Sequence, residues 1–370
     1  MKRLTIPGDF VDTFAFIIHP IHPKRDISRK YPLLGRIVTD WQIKLLSPYF
    51  PPVYLSQVDG ITSTSTNKTI QGWLIACPLS PIHFLELSEK KVYRKIIETG
   101  RLAEKLGAKI LGLGAYTSVV GDAGITIAEA LEVPVTTGDS YTISMAIQAV
   151  RQAAQIMDIP IGSARAAVVG ATGAIGRVCS DLLADDVAEL YLIGRHEPAL
   201  EELRQTLLGR GARADLKIST SMDALREAQL ILTVTSALHA VIEPEHLLPG
   251  SVVCDVARPR DVSVRVAAMR DDVLVIDGGM VEVPGPVDFH FDFGFPPGKA
   301  YACMAETMAL ALEGRFEDYT LGKRITRAQV DEITEIADRH VFRLSGFRSF
   351  ERPVAEEQIE HVRQKARARI

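Results

Sequence analysis

Three glycines and one cysteine carry the chemistry that can be read directly from this chain. Residues 165–177 read RAAVVGATGAIGR, a β-branched run that meets Gly170, Gly173 and Gly176 and then turns helical. The spacing is GxxGxxG rather than GxGxxG, but the physics is shared. Glycines permit a tight turn and let backbone approach a pyrophosphate, whose charge sits on the amides at a helix N-terminus. We therefore expect Gly170, Thr172, Gly173, Ala174, Ile175 and Gly176 to cradle a dinucleotide. The next strand would end at LIGRH, where an NAD site places an acid on the ribose 2′-hydroxyl. Arg195 stands there instead, nineteen residues after Gly176. An arginine pairs with a 2′-phosphate, so NADPH is favoured over NADH. Thr233, Thr235 and Ser236 close a later strand and either line the nicotinamide side of the crevice or cap the strand end.

Cys303 lies in KAYACMAETM (299–308), in the first turns of an expected helix. Helix N-termini favour the thiolate, which is the nucleophilic form. Free cysteine is also a common buried small hydrophobe, and Cys303 alone does not decide between these roles. Glu306 follows one turn later, either to place a proton or to cap and solvate. His290, in DFHFDFG, is the nearest histidine in sequence, as a proton carrier or a packed loop residue. Cys77, Cys179 and Cys254 sit in or beside apolar runs and suit burial. No GxSxG elbow, HExxH helix or GxxxxGK[ST] loop competes, and no CxxC pair suggests zinc.

These residues need a frame. From 165 to 277 short β-branched runs at 166–169, 190–193, 216–218, 230–234, 252–256 and 273–277 alternate with helical stretches. That alternation means βαβ units and a parallel sheet covered by helices. Upstream, 13–19 and 70–76 read as strands, 88–106 as a helix with Ser88 at its start and Gly107 at its stop, and 109–113 as a strand. Residues 59–69 read as a polar turn, 114–124 as loop, and 139–157 as a helix. Downstream, a Gly- and Pro-rich stretch runs to Gly298, a helix follows at about 299–313 with Gly314 beyond it, and 326–370 is largely helical. The last ten residues hold four basic and no acidic side chains, as a solvated helix end would.

Composition bounds the rest. The 370 residues are 47% hydrophobic and 24% charged, an ordinary globular balance that argues against disorder. Such a length suits about two domains and buries about 75% of its unfolded surface without disulfides. A net charge of −4 is a poor match to general nucleic-acid binding. No apolar run is long enough to span a bilayer, and Asp9 and Asp12 interrupt any leader after Lys2 and Arg3. The expectation is a cytoplasmic protein.

Four stretches together resemble the long-chain acyl-[acyl-carrier-protein] reductases of cyanobacteria and their relatives. They are FAFIIHPIHPKRDISRKYP (14–32); LGLGAYTSVV with VPVTTGDSYTISMAIQAVRQAA (111–120 and 133–154); AAVVGATGAIG (166–176); and GGMVE with YACMAETMALALEGRF (278–282 and 301–316). The second and fourth are the most specific. Segment 283–298 and the basic C-terminal tail depart from the family pattern. The segment DVARPRDV (255–262) also resembles glutamyl-tRNA reductases and shikimate-type dehydrogenases, in the dinucleotide domain only.

The resemblance implies NADPH-dependent reduction of a fatty acyl thioester, on acyl carrier protein or coenzyme A, to a fatty aldehyde, with Cys303 as nucleophile. An aldehyde-consuming enzyme is a candidate partner beside the thioester carrier. Thr117, Ser118 and Thr137, from the second stretch, are candidates to stabilise the oxyanion. The architecture expected is α/β, with a substrate domain over 1–158, a doubly wound Rossmann domain for NADPH over 159–298, and C-terminal helices over 299–370 packing back on the substrate domain. The alternative activity is a shikimate-type NADPH alcohol or keto-acid dehydrogenase. That chemistry needs a Lys–Asp pair, which the N-terminal lobe does not offer convincingly.

Overall fold

The structure, a computed structural model, describes residues 11–20, 23–237, 239–350 and 352–369. Lys2, Arg3 and Asp9, on which the leader expectation rests, lie outside the described residues, as do Ile21 and His22 of the first resembling stretch. The chain forms two compact units. One comprises Met1–Gly138, Val283–Gly322 and Glu335–Phe342; the other comprises Asp139–Glu282, Lys323–Thr334 and Arg343–Ile370.

In the first unit, the strand Asp12–Ile18 lies centrally in a five-stranded sheet. It runs parallel to Thr69–Ala76 on one side and to Leu111–Leu113 on the other. Val135–Thr136 continues the parallel set, and Val53–Thr62 closes the opposite edge antiparallel. Alternation sorts the central strand's side chains between two faces. Ala15 and Ile17 join Val92 and Ile96 of the helix Glu89–Leu106 in one core. Phe14 and Phe16 take the other face, where glycines make room for them. A Cβ on Gly72 would lie 2.2 Å from the Phe14 ring, and one on Gly112 would lie 2.4 Å from the Phe16 ring. The same missing Cβ on Gly112 would also meet Thr307 Oγ1 at 2.1 Å, so the helix Ala302–Glu313 packs tightly over this face. That helix is alanine-rich and buried on nearly every side, which is why its sequence lacks an amphipathic stripe.

Three expectations shift here. Asp59–Thr62 continue the strand Val53–Thr62 instead of starting the turn. The reason is a bulge between the pairs Val58/Gly72 and Ile61/Ile70, where Asp59 turns its backbone to pair with Asp288. The 114–124 loop contains a short helix, Tyr116–Val119. Residues Lys299–Tyr301 are extended, so the following helix begins at Ala302 and Cys303 is its second residue.

The second unit carries six parallel strands in the order Leu274–Asp277, Val252–Asp255, Leu230–Thr233, Arg165–Val169, Glu189–Ile193, Asp215–Ser219. Numbered along the chain from Arg165–Val169, this is the doubly wound 3-2-1-4-5-6 order read from its far edge. The helices Ala174–Leu183 and Glu197–Gly209 make the first two crossovers. The helix Asp139–Ile156 buries Ile143, Ile147 and Val150 in this unit's core, so the cut falls at 138/139 rather than 158/159. The last helix, Glu356–Arg369, also belongs here through Val362 and Ala366. Its basic side chains meet acids of the same unit: Arg363 and Arg367 pair with Asp158, and Lys365 with Asp271.

Candidate active site

The glycine loop of the second unit has the geometry its spacing requires. Gly170 leaves the strand Arg165–Val169 with φ +83, a conformation that favours glycine. A Cβ there would sit 2.8 Å from the Val234 carbonyl oxygen. Its own carbonyl accepts the Gly173 amide at 3.0 Å, and a Cβ on Gly176 would strike that oxygen at 2.1 Å. Gly173 is the N-cap of the helix Ala174–Leu183, with no side chain to occupy the first-turn amides. The loop therefore presents bare backbone and a positive helix end, as a pyrophosphate requires. Arg195, at the end of the second strand, is exposed and has no carboxylate partner among the described residues.

The threonines of the fourth strand have another task. Thr233 Oγ1 donates to Asp261 at 2.6 Å, and Thr235 offers both its amide (2.8 Å) and its hydroxyl (2.5 Å) to the same buried carboxylate. Their hydroxyl protons are committed to Asp261, which ties down the strand end; Ser236 alone of the three is exposed. Nothing in the spacing of DVARPRDV marks Asp261 as that anchor. Nearby Asp255 is pushed up to about 6 by burial, against the pull of Arg258.

In the first unit the candidate residues gather at the carboxyl ends of the parallel strands, the edge at which open α/β sheets bind ligands. Cys303 is the half-buried cysteine of the four; the others are fully buried. Burial pushes the Cys77 thiol up to about 11 and raises Cys179 and Cys254 further, so those three are inert packing groups. Gly138, just past the strand Val135–Thr136, has φ +78 and presses its backbone against Cys303. A Cβ on it would lie 2.3 Å from Cys303 Cα and 2.4 Å from its Cβ. Sequence reasoning missed this glycine, although its setting, strand then glycine then helix, repeats the signature of the phosphate loop.

Glu306 is fully buried. Its Oε1 accepts the hydroxyls of Thr136 (2.5 Å) and Thr320 (2.9 Å). Thr136 Oγ1 in turn accepts the amide of Gly138 at 3.4 Å. Glu306 thus holds the turn that abuts Cys303. Of the three oxyanion candidates, Thr117 and Ser118 spend their hydroxyl protons on the carbonyls of Gly114 (2.8 Å) and Ala115 (2.7 Å). Thr137 Oγ1 is buried without a hydrogen-bond partner among the described residues.

The same edge holds His19, which follows the central strand. Its Nε2 accepts the Tyr116 amide at 3.3 Å, and its ring packs on Phe84 and Tyr116. Burial drives its pKa down to about 4, outweighing the pull of the Pro20 carbonyl and Asp26, so the imidazole is neutral. Ala115, beside Tyr116, has φ 48 and ψ −122, a strained geometry for a non-glycine residue. His290 is placed elsewhere. It bonds Asp59 at 3.2 Å beside the antiparallel edge strand, across the sheet from Val135–Thr136. Burial alone would raise Asp59, but hydrogen bonds from Gln71, Gln57 and His290 outweigh it and keep the carboxylate below its usual range.

A doubly wound sheet whose first strand meets a glycine turn and a helix N-terminus defines the class: an NAD(P)-dependent oxidoreductase with a Rossmann-type domain. Residues 151–277 match the shikimate/quinate 5-dehydrogenase family, which covers that domain. The chain is 33% identical over 302 residues to the long-chain acyl-[acyl-carrier-protein] reductase of Synechococcus elongatus, covering 77% of this chain and 86% of that protein. It belongs to that reductase's family. It is also 32% identical over 342 residues to the aminotransferase PigE of a Serratia species, covering 89% of this chain. The chain spans about two fifths of PigE's length, 39%. Among solved structures, L-tryptophan dehydrogenase from Nostoc punctiforme aligns over 97% of this chain and 87% of its own at 13% identity, with a TM-score of 0.41. Among the described residues, no helix is long and apolar enough to cross a membrane.

Proposed function

We propose that the protein reduces a long-chain fatty acyl thioester, carried by acyl carrier protein or coenzyme A, to the fatty aldehyde with NADPH. The observation that carries this reading is the placement of Cys303: a half-buried thiol in the first turn of a twelve-residue helix, seated on Gly138 at the ligand-binding edge of its sheet.

The helix N-terminus favours the thiolate. Cys303 Sγ attacks the thioester carbonyl; the C–S bond to the carrier breaks, and the carrier thiol leaves with a proton. The result is an acyl-enzyme thioester on Cys303. The nicotinamide, when bound, supplies a hydride to the acyl carbon. The resulting oxyanion collapses, expelling the Cys303 thiolate and releasing aldehyde. The oxyanion that forms in each half needs a donor, and the uncommitted Thr137 hydroxyl supports that role better than Thr117 or Ser118. The residues of the second unit fit the cofactor: the Gly170–Gly173–Gly176 cradle would hold the pyrophosphate, and Arg195 would hold the 2′-phosphate.

Intact-mass analysis tests the proposal. Incubation with a long-chain acyl thioester in the absence of NADPH is expected to add one acyl group at Cys303, which added NADPH removes as aldehyde. An unmodified Cys303, or a Cys303→Ala enzyme that still makes aldehyde at the normal rate, would overturn it. The shikimate-type alternative shares the dinucleotide domain, but the Lys–Asp contacts of the first unit, Lys68 and Lys109 on Asp12, stand at the start of the central strand, the end opposite the edge that holds Cys303.

A further inference from the structure

The segment between the first two strands of the first unit folds into three short helices, Pro23–Lys30, Pro32–Ile37 and Asp40–Leu46, followed by a single 3-10 turn. Few of its large apolar side chains turn inward. Ile43 is buried, but Leu33 is 75% exposed, Ile37 78%, Trp41 70% and Tyr49 84%; Leu45 and Phe50 are exposed too. The exposure follows helical geometry: Leu33 and Ile37, and Trp41 and Leu45, are i, i+4 pairs that share a face. Monomeric surfaces seldom leave such a set uncovered without a partner.

The charge around this apron identifies the partner. Residues 23–54 contain Lys24, Arg25, Arg29, Lys30, Arg36 and Lys44 against only Asp26 and Asp40, in a chain whose net charge is −4. Exposed Trp, Tyr, Phe and Leu interspersed along the chain with lysine and arginine is the composition that seats a helix in a bilayer interface. With no described helix able to cross a membrane, such contact lies on the surface. The apron also adjoins the candidate site. His83 on the helix Pro81–Glu86 bonds the Lys44 carbonyl at 2.7 Å, and Lys44 pairs with Glu86 at 3.2 Å. Phe84, on the same helix, stacks on Tyr116 beside His19, while Ile82 and Leu85 extend the exposed apolar face.

We propose that residues 23–54 dock the protein on an anionic lipid surface, with the aromatic and aliphatic side chains in the interface and the exposed cations Lys24, Arg25 and Arg36 over the headgroups. The inference stands on exposure and charge and does not depend on which thioester, if any, the enzyme reduces.

Vesicle flotation of the full chain tests it. Binding is expected to phosphatidylcholine vesicles containing roughly a third phosphatidylglycerol, at least about tenfold stronger than to phosphatidylcholine alone, and weakened by salt. In a Trp73→Phe background Trp41 is the remaining tryptophan, and its emission is expected to shift to the blue on binding. Ile37→Ser/Leu45→Ser and Lys24→Gln/Arg25→Gln/Arg36→Gln are each expected to reduce binding about tenfold while the far-UV circular dichroism and the urea-unfolding midpoint are unchanged, which shows that the variants fold. Absence of binding, or equal binding to neutral and anionic vesicles, overturns the proposal. So does a change from dimer to monomer in Ile37→Ser/Leu45→Ser with vesicle binding intact, which would make the apron a contact between copies of the chain.

Discussion

Replacing Gly138 by alanine is expected to damage acyl transfer far more than it damages the fold. Two costs follow from the geometry. At φ +78 an alanine pays about 1 kcal/mol for the left-handed conformation. Its Cβ would then lie 2.3 Å from Cys303 Cα and 2.7 Å from Cys303 O, neither of which is a flexible side-chain end. Ordinary contact begins near 3.4 Å, so the helix start must retreat by about 1 Å, an overpacking cost of about 1–3 kcal/mol. The protein survives a total of about 2–4 kcal/mol if its stability is ordinary. A reacting atom misplaced by about 1 Å, however, loses on the order of a hundredfold in rate. The assay is the pre-steady-state rate of Cys303 acylation by mass spectrometry, beside NADPH binding by fluorescence. Gly107→Ala is the control. Gly107 has φ +88 but nothing within 4 Å of its missing Cβ, so it pays the backbone cost without the clash. Acylation is expected to fall about a hundredfold in Gly138→Ala and less than twofold in Gly107→Ala, with NADPH affinity equal in both. If folded Gly138→Ala acylates within twofold of wild type, the contact with Cys303 does not position the nucleophile.

Three further perturbations separate the parts of the site. Glu306→Ala strands two buried threonine hydroxyls and should cost about 2–4 kcal/mol in urea unfolding, whereas Glu306→Gln keeps a carbonyl acceptor and should cost about half as much; equal losses would show that the hydroxyls find other partners. His19 is neutral in the fold, with a pKa near 4 against 6.5 unfolded, so its contribution is present above pH 6.5 and is lost as pH falls towards 4, to a total of about 3 kcal/mol. Unfolding curves at pH 7, 6, 5 and 4 should show that slope reduced in His19→Gln; parallel profiles would mean the ring titrates normally. Arg195→Ser should raise KM for NADPH about tenfold or more and leave KM for NADH within twofold; an equal effect on both would remove Arg195 from the 2′-phosphate.

How much of this was legible depends on whether a residue's job is local. The strands from 165 to 277 fell within a residue or two of their expected places, because each is a short apolar run bounded by turns; the inner ones are largely buried on both faces, and the edge strand Asp215–Ser219 turns Asp215 and Lys217 outward. The glycine loop was equally readable, since its turn, cradle and helix cap all lie within seven residues. The strand Val53–Thr62 was harder. It starts behind Pro51 and Pro52 and ends in polar residues, and its last part is held by pairing with Asp288, more than two hundred residues away. The helix Asp139–Ile156 was found, but not the sheet it covers, because its apolar residues fit either neighbour until packing chose.

By itself, the order of residues determined the βαβ rhythm, a glycine turn ahead of a helix, a cation, Arg195, after the next strand, and a cysteine at a helix start. Those features are set by backbone conformation and side-chain type over a few residues. Tertiary structure alone decided which groups remain available. It buried Cys77, Cys179 and Cys254 beyond reactivity, committed Thr233 and Thr235 to Asp261, and spent the Thr117 and Ser118 hydroxyls on their own turn. It also brought Gly138 and Glu306 to support the turn at Cys303, and it sent His290 to the far edge of the sheet. The physical reason is that a hydroxyl has one proton and a buried thiol no water. Whether either can serve a reaction is settled by partners that arrive from distant parts of the chain.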